Sequence, residues 1–234
     1  MELSIIGSGK CNLHCSYCFL CKTKKTTQIL DEDIVNGLKD HTYLQRALTA
    51  LNWYDHKPED VGKLSFWGGE PTINLPVWTE HISEWMKALP RLVDLNFITN
   101  ATFPPQNMIE FIKTVDANAM HRMNVILQVS LDGPDPYTLK GRGIPAQKIT
   151  DNLKEFIKQF NQLYLTNTDL IVFFKSTLQI DDFIEALGNI ENATKYYTWW
   201  QSLIHDLEYL SISKNIKGFF ADAVNYAYME DYTQ

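Results

Sequence analysis

The chain has 234 residues, 45% of them hydrophobic, and a formal net charge of −7 at neutral pH. Length and apolar content suit one α/β domain with a sizeable core, and the acidic balance speaks against non-specific nucleic-acid binding, which depends on clustered Lys and Arg. No charged leader with an apolar segment opens the chain and no run approaches the ~18 apolar residues of a membrane span, so the expectation is a cytoplasmic protein with no membrane partner.

Residues 3–6 are apolar and lead into Gly7-Ser8-Gly9, the pattern of a buried strand entering a loop. Cys11, Cys15 and Cys18 stand in that loop, followed by Cys21 and a basic run, Lys22-Thr23-Lys24-Lys25. The run reads as a solvated loop or, alternatively, as a positive rim for an anionic cofactor or an electron donor. Ile34, Leu38, Leu44, Leu48 and Leu51 keep helical spacing, which predicts one helix over 31–51 with Asp31 as its N-cap. A strand over 63–67 then runs directly into Gly68-Gly69-Glu70-Pro71, where glycines let the backbone approach a ligand, and a helix follows over 77–89.

A third strand, 93–99, ends in Thr99-Asn100-Ala101-Thr102, and Pro104-Pro105 turns the chain into a helix over 106–115. The fourth strand, 124–131, ends in Ser130-Leu131-Asp132-Gly133-Pro134, whose last three residues are in themselves a good turn. A helix over 145–163 shows Ile149, Leu153, Phe156, Ile157 and Phe160 on one face. The stretch 169–178 is near-continuously apolar, as a parallel strand buried on both sides should be. Helices over 180–187 and 194–206 and a sixth strand over 208–213 complete the pattern, with Tyr196, Tyr197, Trp199 and Trp200 read as core. Six alternations of strand and helix favour parallel strands with right-handed crossovers, hence a partial (β/α)₆ TIM-like barrel whose ligands sit at the C-terminal strand ends.

Three thiolates in one short loop are soft ligands that suit an iron–sulfur cluster. A four-iron cluster has four irons to ligate, so three cysteines leave one open for chemistry. Two alternatives stand beside this: Cys21 could close the cluster and make an electron carrier, or four thiolates could hold a structural zinc, although zinc sites usually come as two separated pairs. Disulfides fit poorly, because the loop is too short to pair neighbours without strain.

The stretch Cys11-Asn12-Leu13-His14-Cys15-Ser16-Tyr17-Cys18-Phe19 resembles the signature of the radical S-adenosylmethionine (SAM) enzymes, including an aromatic residue on each side of the third cysteine. Gly68-Gly69-Glu70-Pro71 is similar to that family's motif for the SAM amino group, and Ser130 to Pro134 to its following segment; Ala101 stands where relatives often have glycine. The resemblance implies a 4Fe-4S cluster held by Cys11, Cys15 and Cys18, and SAM bound by Tyr17, Gly68, Gly69, Glu70, Ser130, Arg142 and Leu178. It implies reductive cleavage of SAM and hydrogen abstraction from a substrate, with electrons from a reduced flavodoxin- or ferredoxin-type donor. The chain looks most like the core of the anaerobic sulfatase-maturase and related peptide-modifying group, which implies a peptide or protein substrate. On this reading residues 1–214 are the core domain and 215–234 a C-terminal segment. With no cysteine after Cys21, the chain is either a fragment lacking an auxiliary-cluster extension or a minimal enzyme. No catalytic base is identifiable; Asp222 and Glu230 lie in the right late region.

Overall fold

In the computed structural model, residues 1–18, 24–221 and 225–227 are described. The strands β1 (Glu2–Ser8), β2 (Lys63–Gly68), β3 (Asp94–Thr99), β4 (Met123–Ser130) and β5 (Thr168–Lys175) pair in chain order, all parallel. After β5 the chain makes β6 (Thr177–Gln179), and the sheet's sixth strand is β7 (Ile216–Ala221), which pairs with β5. Among the described residues β1 and β7 remain the two edges of the sheet, so the barrel is partial and TIM-like.

The sheet's two faces can be read from register. Ile5, Phe66, Phe97, Leu127, Val172 and Phe219 are successive partners across the six strands, and all are buried. This row meets the helices: Phe66 stacks on Phe97 at 4.3 Å, while Trp78 and Phe111 close edge-on against the pair. Burial of each such side chain stabilises the fold by about 1.5–3 kcal/mol. One residue further along, Ile6, Trp67, Ile98, Gln128, Phe173 and Phe220 form the opposite row, and each is exposed or only partly buried. Period-2 alternation thus leaves the inner face of an open barrel lined by accessible, mostly apolar side chains.

The crossover helices are α3 (Leu75–Ala88), α4 (Pro105–Asn118) and α6 (Ala146–Phe160), with α7 (Ile180–Leu187) and α8 (Ile190–Leu210) between β6 and β7. The face of α6 read from spacing is the buried one, since Ile149, Leu153, Phe156, Ile157 and Phe160 are all at most 1% exposed. Of the aromatic band on α8, Tyr196 and Trp200 are core while Tyr197 is half exposed.

Several elements differ from the expectations. The first crossover is two helices, α1 (Lys24–Lys39) and α2 (Thr42–Trp53), broken at His41, which takes a left-handed φ of 65°. Asp31 lies inside α1, buried, and does not cap it. The sixth strand falls at 216–221 because α8 keeps its periodic contacts through Leu203 and Leu207 as far as Leu210, while Ile212 is exposed. A short helix, α5 (Tyr137–Arg142), was not legible in the sequence. Leu178 sits in β6 rather than at the end of β5; β6 pairs with β8 (Asn225–Ala227) and the Leu178 side chain joins the core at 2% exposure. Cys21, Asp222 and Glu230 lie outside the described residues. No helix is long and apolar enough to cross a membrane among the described residues.

Candidate active site

The cysteine loop leaves the C-terminal end of β1, and side chains from four other strand ends and helices hold it there. At its root, Asp31 of α1 accepts hydrogen bonds from Ser8 Oγ (2.7 Å), Gly9 N (3.1 Å) and Asn74 Nδ2 (3.0 Å), and pairs with Lys10 Nζ at 3.0 Å. Burial pushes the Asp31 carboxyl up, but the bonds from Ser8, Lys10 and Asn74 outweigh it and the net shift is downward. The anchor is therefore an ionised carboxylate at neutral pH.

The next contact is with β2. Gly69 N donates to Ser8 O (2.9 Å) and Glu70 N to Lys10 O (2.7 Å). A Cβ on Gly69 would lie 2.2 Å from Lys10 O, and Gly68 takes a φ of 117°. These two glycines are required by the close approach of the loop that carries Cys11. The Glu70 carboxylate, which the sequence assigns to a cationic amine, is buried and already engaged. Oε1 accepts from Thr72 N (3.1 Å), the Thr72 hydroxyl and Thr99 Oγ1 (2.7 Å), and Oε2 accepts from Asn100 N (2.7 Å). Burial raises the Glu70 pKa, and these four donors offset part of the rise. Asn100 then reaches the loop, its Nδ2 donating to Asn12 Oδ1 (2.9 Å) while Asn12 Nδ2 donates to Thr102 Oγ1 (2.7 Å). Ala101 keeps the left-handed turn at φ 55°, with its N–H on Thr99 Oγ1 and its carbonyl on Asn152.

The far end of the loop rests on Asp132, whose place in an Asp-Gly-Pro turn conceals this role in the sequence. Asp132 is fully buried; Oδ1 accepts from Arg142 Nη2 (2.6 Å) and Thr177 N (3.0 Å), and Oδ2 from the Tyr17 hydroxyl (2.6 Å). The Arg142 guanidinium also lies over the Tyr17 ring, 5.5 Å from its centroid. Burial and Asp132 push the Tyr17 pKa far up despite the opposing Arg142, so its hydroxyl stays a donor. Ser16 N donates to Gly141 O (2.8 Å), and Gln179 Nε2 donates to Ser16 Oγ. The only sequence signal for Asp132 was its place two residues beyond Ser130, at a strand's C-terminal end.

The structure thus brings together Cys11, Cys15, Cys18, Tyr17, Gly68, Gly69, Glu70 and Arg142. Ser130 sits at the end of β4 on the inner face, in register with Lys175, and its hydroxyl has no hydrogen bond among the described residues. The Leu178 side chain is buried in the core, so a contact with SAM from this position would come chiefly from its backbone.

Three thiols in one loop suit an iron–sulfur cluster, whose irons take thiolate ligands. All three cysteines are free thiols, Cys11 exposed and the others half-buried. Burial, with neighbouring Cys11, Cys18 and Asp132 and against Arg142, pushes the Cys15 thiol up to about 11, and burial raises Cys11 too. Metal ligation must displace these protons. Arg142 Nε is buried without a partner, a donor still open beside the loop.

A partial barrel of parallel strands, with a three-thiol loop clasped to its C-terminal strand ends, defines the class: an α/β-barrel protein that presents three free thiols at the edge where such folds bind ligands. The radical SAM superfamily matches residues 5–187, most of the chain, and the protein belongs to that superfamily. Membership implies SAM and an iron–sulfur cluster as cofactors and radical chemistry as the reaction type. A search among curated proteins finds no match to this chain.

Proposed function

We propose that Cys11, Cys15 and Cys18 ligate three irons of a 4Fe-4S cluster, that SAM occupies the remaining iron, and that the substrate is a peptide or protein side chain. The observation that carries the reading is the loop itself, three thiols presented together and fixed from both ends by buried carboxylates. When bound, the cluster and SAM supply one-electron cleavage of a sulfonium and abstraction of a hydrogen atom from substrate.

The chain's own residues bind and orient. Gly68 and Gly69 bring the β2 turn against the loop, Tyr17 and Arg142 brace its third cysteine, and Arg142 Nε is a donor for the SAM carboxylate. The Ser130 hydroxyl offers a second polar contact from the inner face. Glu70 acts chiefly by holding Asn100, and through it Asn12, in place, with one lone pair of Oε2 remaining for an amine. The inner row of Ile6, Trp67, Ile98, Gln128, Phe173 and Phe220 supplies a largely apolar floor, and Lys175, which makes no ion pair among the described residues, supplies a cation above it. Among the described residues the sheet stays open between β1 and β7, which suits an extended polymer, the substrate class that the sequence resemblance to the sulfatase-maturase group implies. A reduced flavodoxin- or ferredoxin-type protein would deliver the electron.

Anaerobic reconstitution with iron and sulfide tests this. We expect a brown protein with about four irons per chain that forms 5′-deoxyadenosine from SAM under dithionite, loses both properties in Cys15→Ala, and keeps both in Cys21→Ala. A colourless protein holding one zinc, or loss of the cluster in Cys21→Ala, overturns the reading. Stimulation of SAM cleavage by peptides over single amino acids tests the substrate class.

A further inference from the structure

On the outer helical layer, His41, His81 and Glu84 each offer a ligand atom, and these atoms lie within 4.8 Å of one another; no other such group of three occurs among the described residues. His81 and Glu84 share one face of α3 at i and i+3, and His41 reaches them from the turn between α1 and α2. Although His41 occupies the N-cap position of α2, its side chain makes no cap hydrogen bond. Instead Nδ1 lies 2.6 Å from Glu84 Oε2, and the ring stands edge-on to His81 at 5.8 Å.

An ion pair between His41 and Glu84 accounts for part of this geometry. It leaves His81 unexplained, because His81 Nδ1 is buried and has no hydrogen-bond partner. A buried ring nitrogen without a partner costs free energy, and an ion coordinated by that nitrogen would satisfy it.

We propose that His41, His81 and Glu84 form a binding site for a divalent ion of the zinc class. Two imidazoles and one carboxylate suit such an ion and leave a fourth position for water. The side chains of His41 and Glu84 are 51% and 40% exposed, so they are free to turn from each other onto a shared ion. The site is separate from the cysteine loop: Asp31 of α1 holds the loop's root, and the eight residues from there to Lys39 carry the chain about 12 Å further along the helix before His41 is reached. The ion therefore pins the α1–α2 turn to α3 and takes no part in the strand-end chemistry, so it neither depends on the cluster nor competes with it.

The test is zinc titration of the full chain with Cys11, Cys15, Cys18 and Cys21 replaced by alanine, which removes the thiols as rival ligands. Should that chain prove unfolded by circular dichroism, the cluster-loaded parent takes its place, with retained iron measured alongside. We expect one zinc per chain and a rise in Tm of about 5–10 °C at zinc 100-fold above Kd, both lost in His81→Ala and in His41→Ala. Because the His41 side chain is half exposed, His41→Ala decides the matter if His81→Ala fails to fold. Absence of a Tm rise, or an equal rise in the His41→Ala chain, overturns the site.

Discussion

Besides Asp31 at its root, two buried carboxylates hold the cysteine loop, and they do so by different physics. Glu70, at the end of β2, has only neutral partners, two hydroxyls and two backbone amides. Asp132, beyond the end of β4, has a buried guanidinium at 2.6 Å together with a phenol and one amide. The first knot joins β2 to β3 and reaches the loop through Asn100 and Asn12; the second touches the loop directly through Tyr17. Removing an acceptor from neutral donors costs their desolvation, whereas removing it from Arg142 strands a buried charge, which costs more. The loop should therefore depend more on Asp132 than on Glu70, although Glu70 is the residue that stands out in the sequence.

The largest expected effect is from Asp132→Ala, which leaves Arg142 buried and unpaired and should lower stability by about 3–5 kcal/mol, read from urea unfolding. Glu70→Ala should cost less, about 2–3 kcal/mol. Equal losses, or the reverse order, would break the comparison. Acidity separates the knots further. The Glu70 pKa is raised on folding, so the folded chain holds this proton to higher pH than the unfolded chain, whose glutamates titrate near 4.3. This group's contribution to stability consequently falls as pH rises from about 4.3 through the folded value. The stability of the parent relative to Glu70→Gln should increase as pH is lowered from neutral toward that range, in paired unfolding curves; a constant difference would remove burial as the dominant influence on Glu70. The smallest effect is expected from Tyr17→Phe, which deletes one hydrogen bond to Asp132 and keeps the ring under Arg142, a loss of about 1 kcal/mol. A loss as large as that of Asp132→Ala would move the centre of the second knot to Tyr17.

Much of this arrangement was legible because it follows from short-range rules. Strand–helix alternation led to the parallel sheet, and strand ends rich in Gly, Asn, Thr and Ser marked the edge where the loop docks. What stayed hidden were partnerships across long stretches of chain. Asp31 reads as a helix cap until it is seen buried among Ser8, Gly9 and Asn74. Asp132 reads as turn chemistry until Tyr17 and Arg142 converge on it from 115 and 10 residues away. Glu70 reads as a partner for the SAM amino group because nothing local announces that Thr99 and Asn100 also bond to it. The shift of the last sheet strand to 216–221 has a similar cause: residues 208–210 complete a helix packed on the core, and tertiary contact overrides their β character. In the same way the short run around Leu178 pairs with a strand some fifty residues later, which buries the Leu178 side chain.

The central claim is that three thiolates leave one iron open to SAM. Electron paramagnetic resonance of the reduced, reconstituted protein, recorded with and without SAM, addresses it directly. The account predicts a reduced-cluster signal whose g-values change when SAM is added, in the parent and in Cys21→Ala alike. A signal indifferent to SAM, with SAM bound elsewhere or not at all, would contradict it.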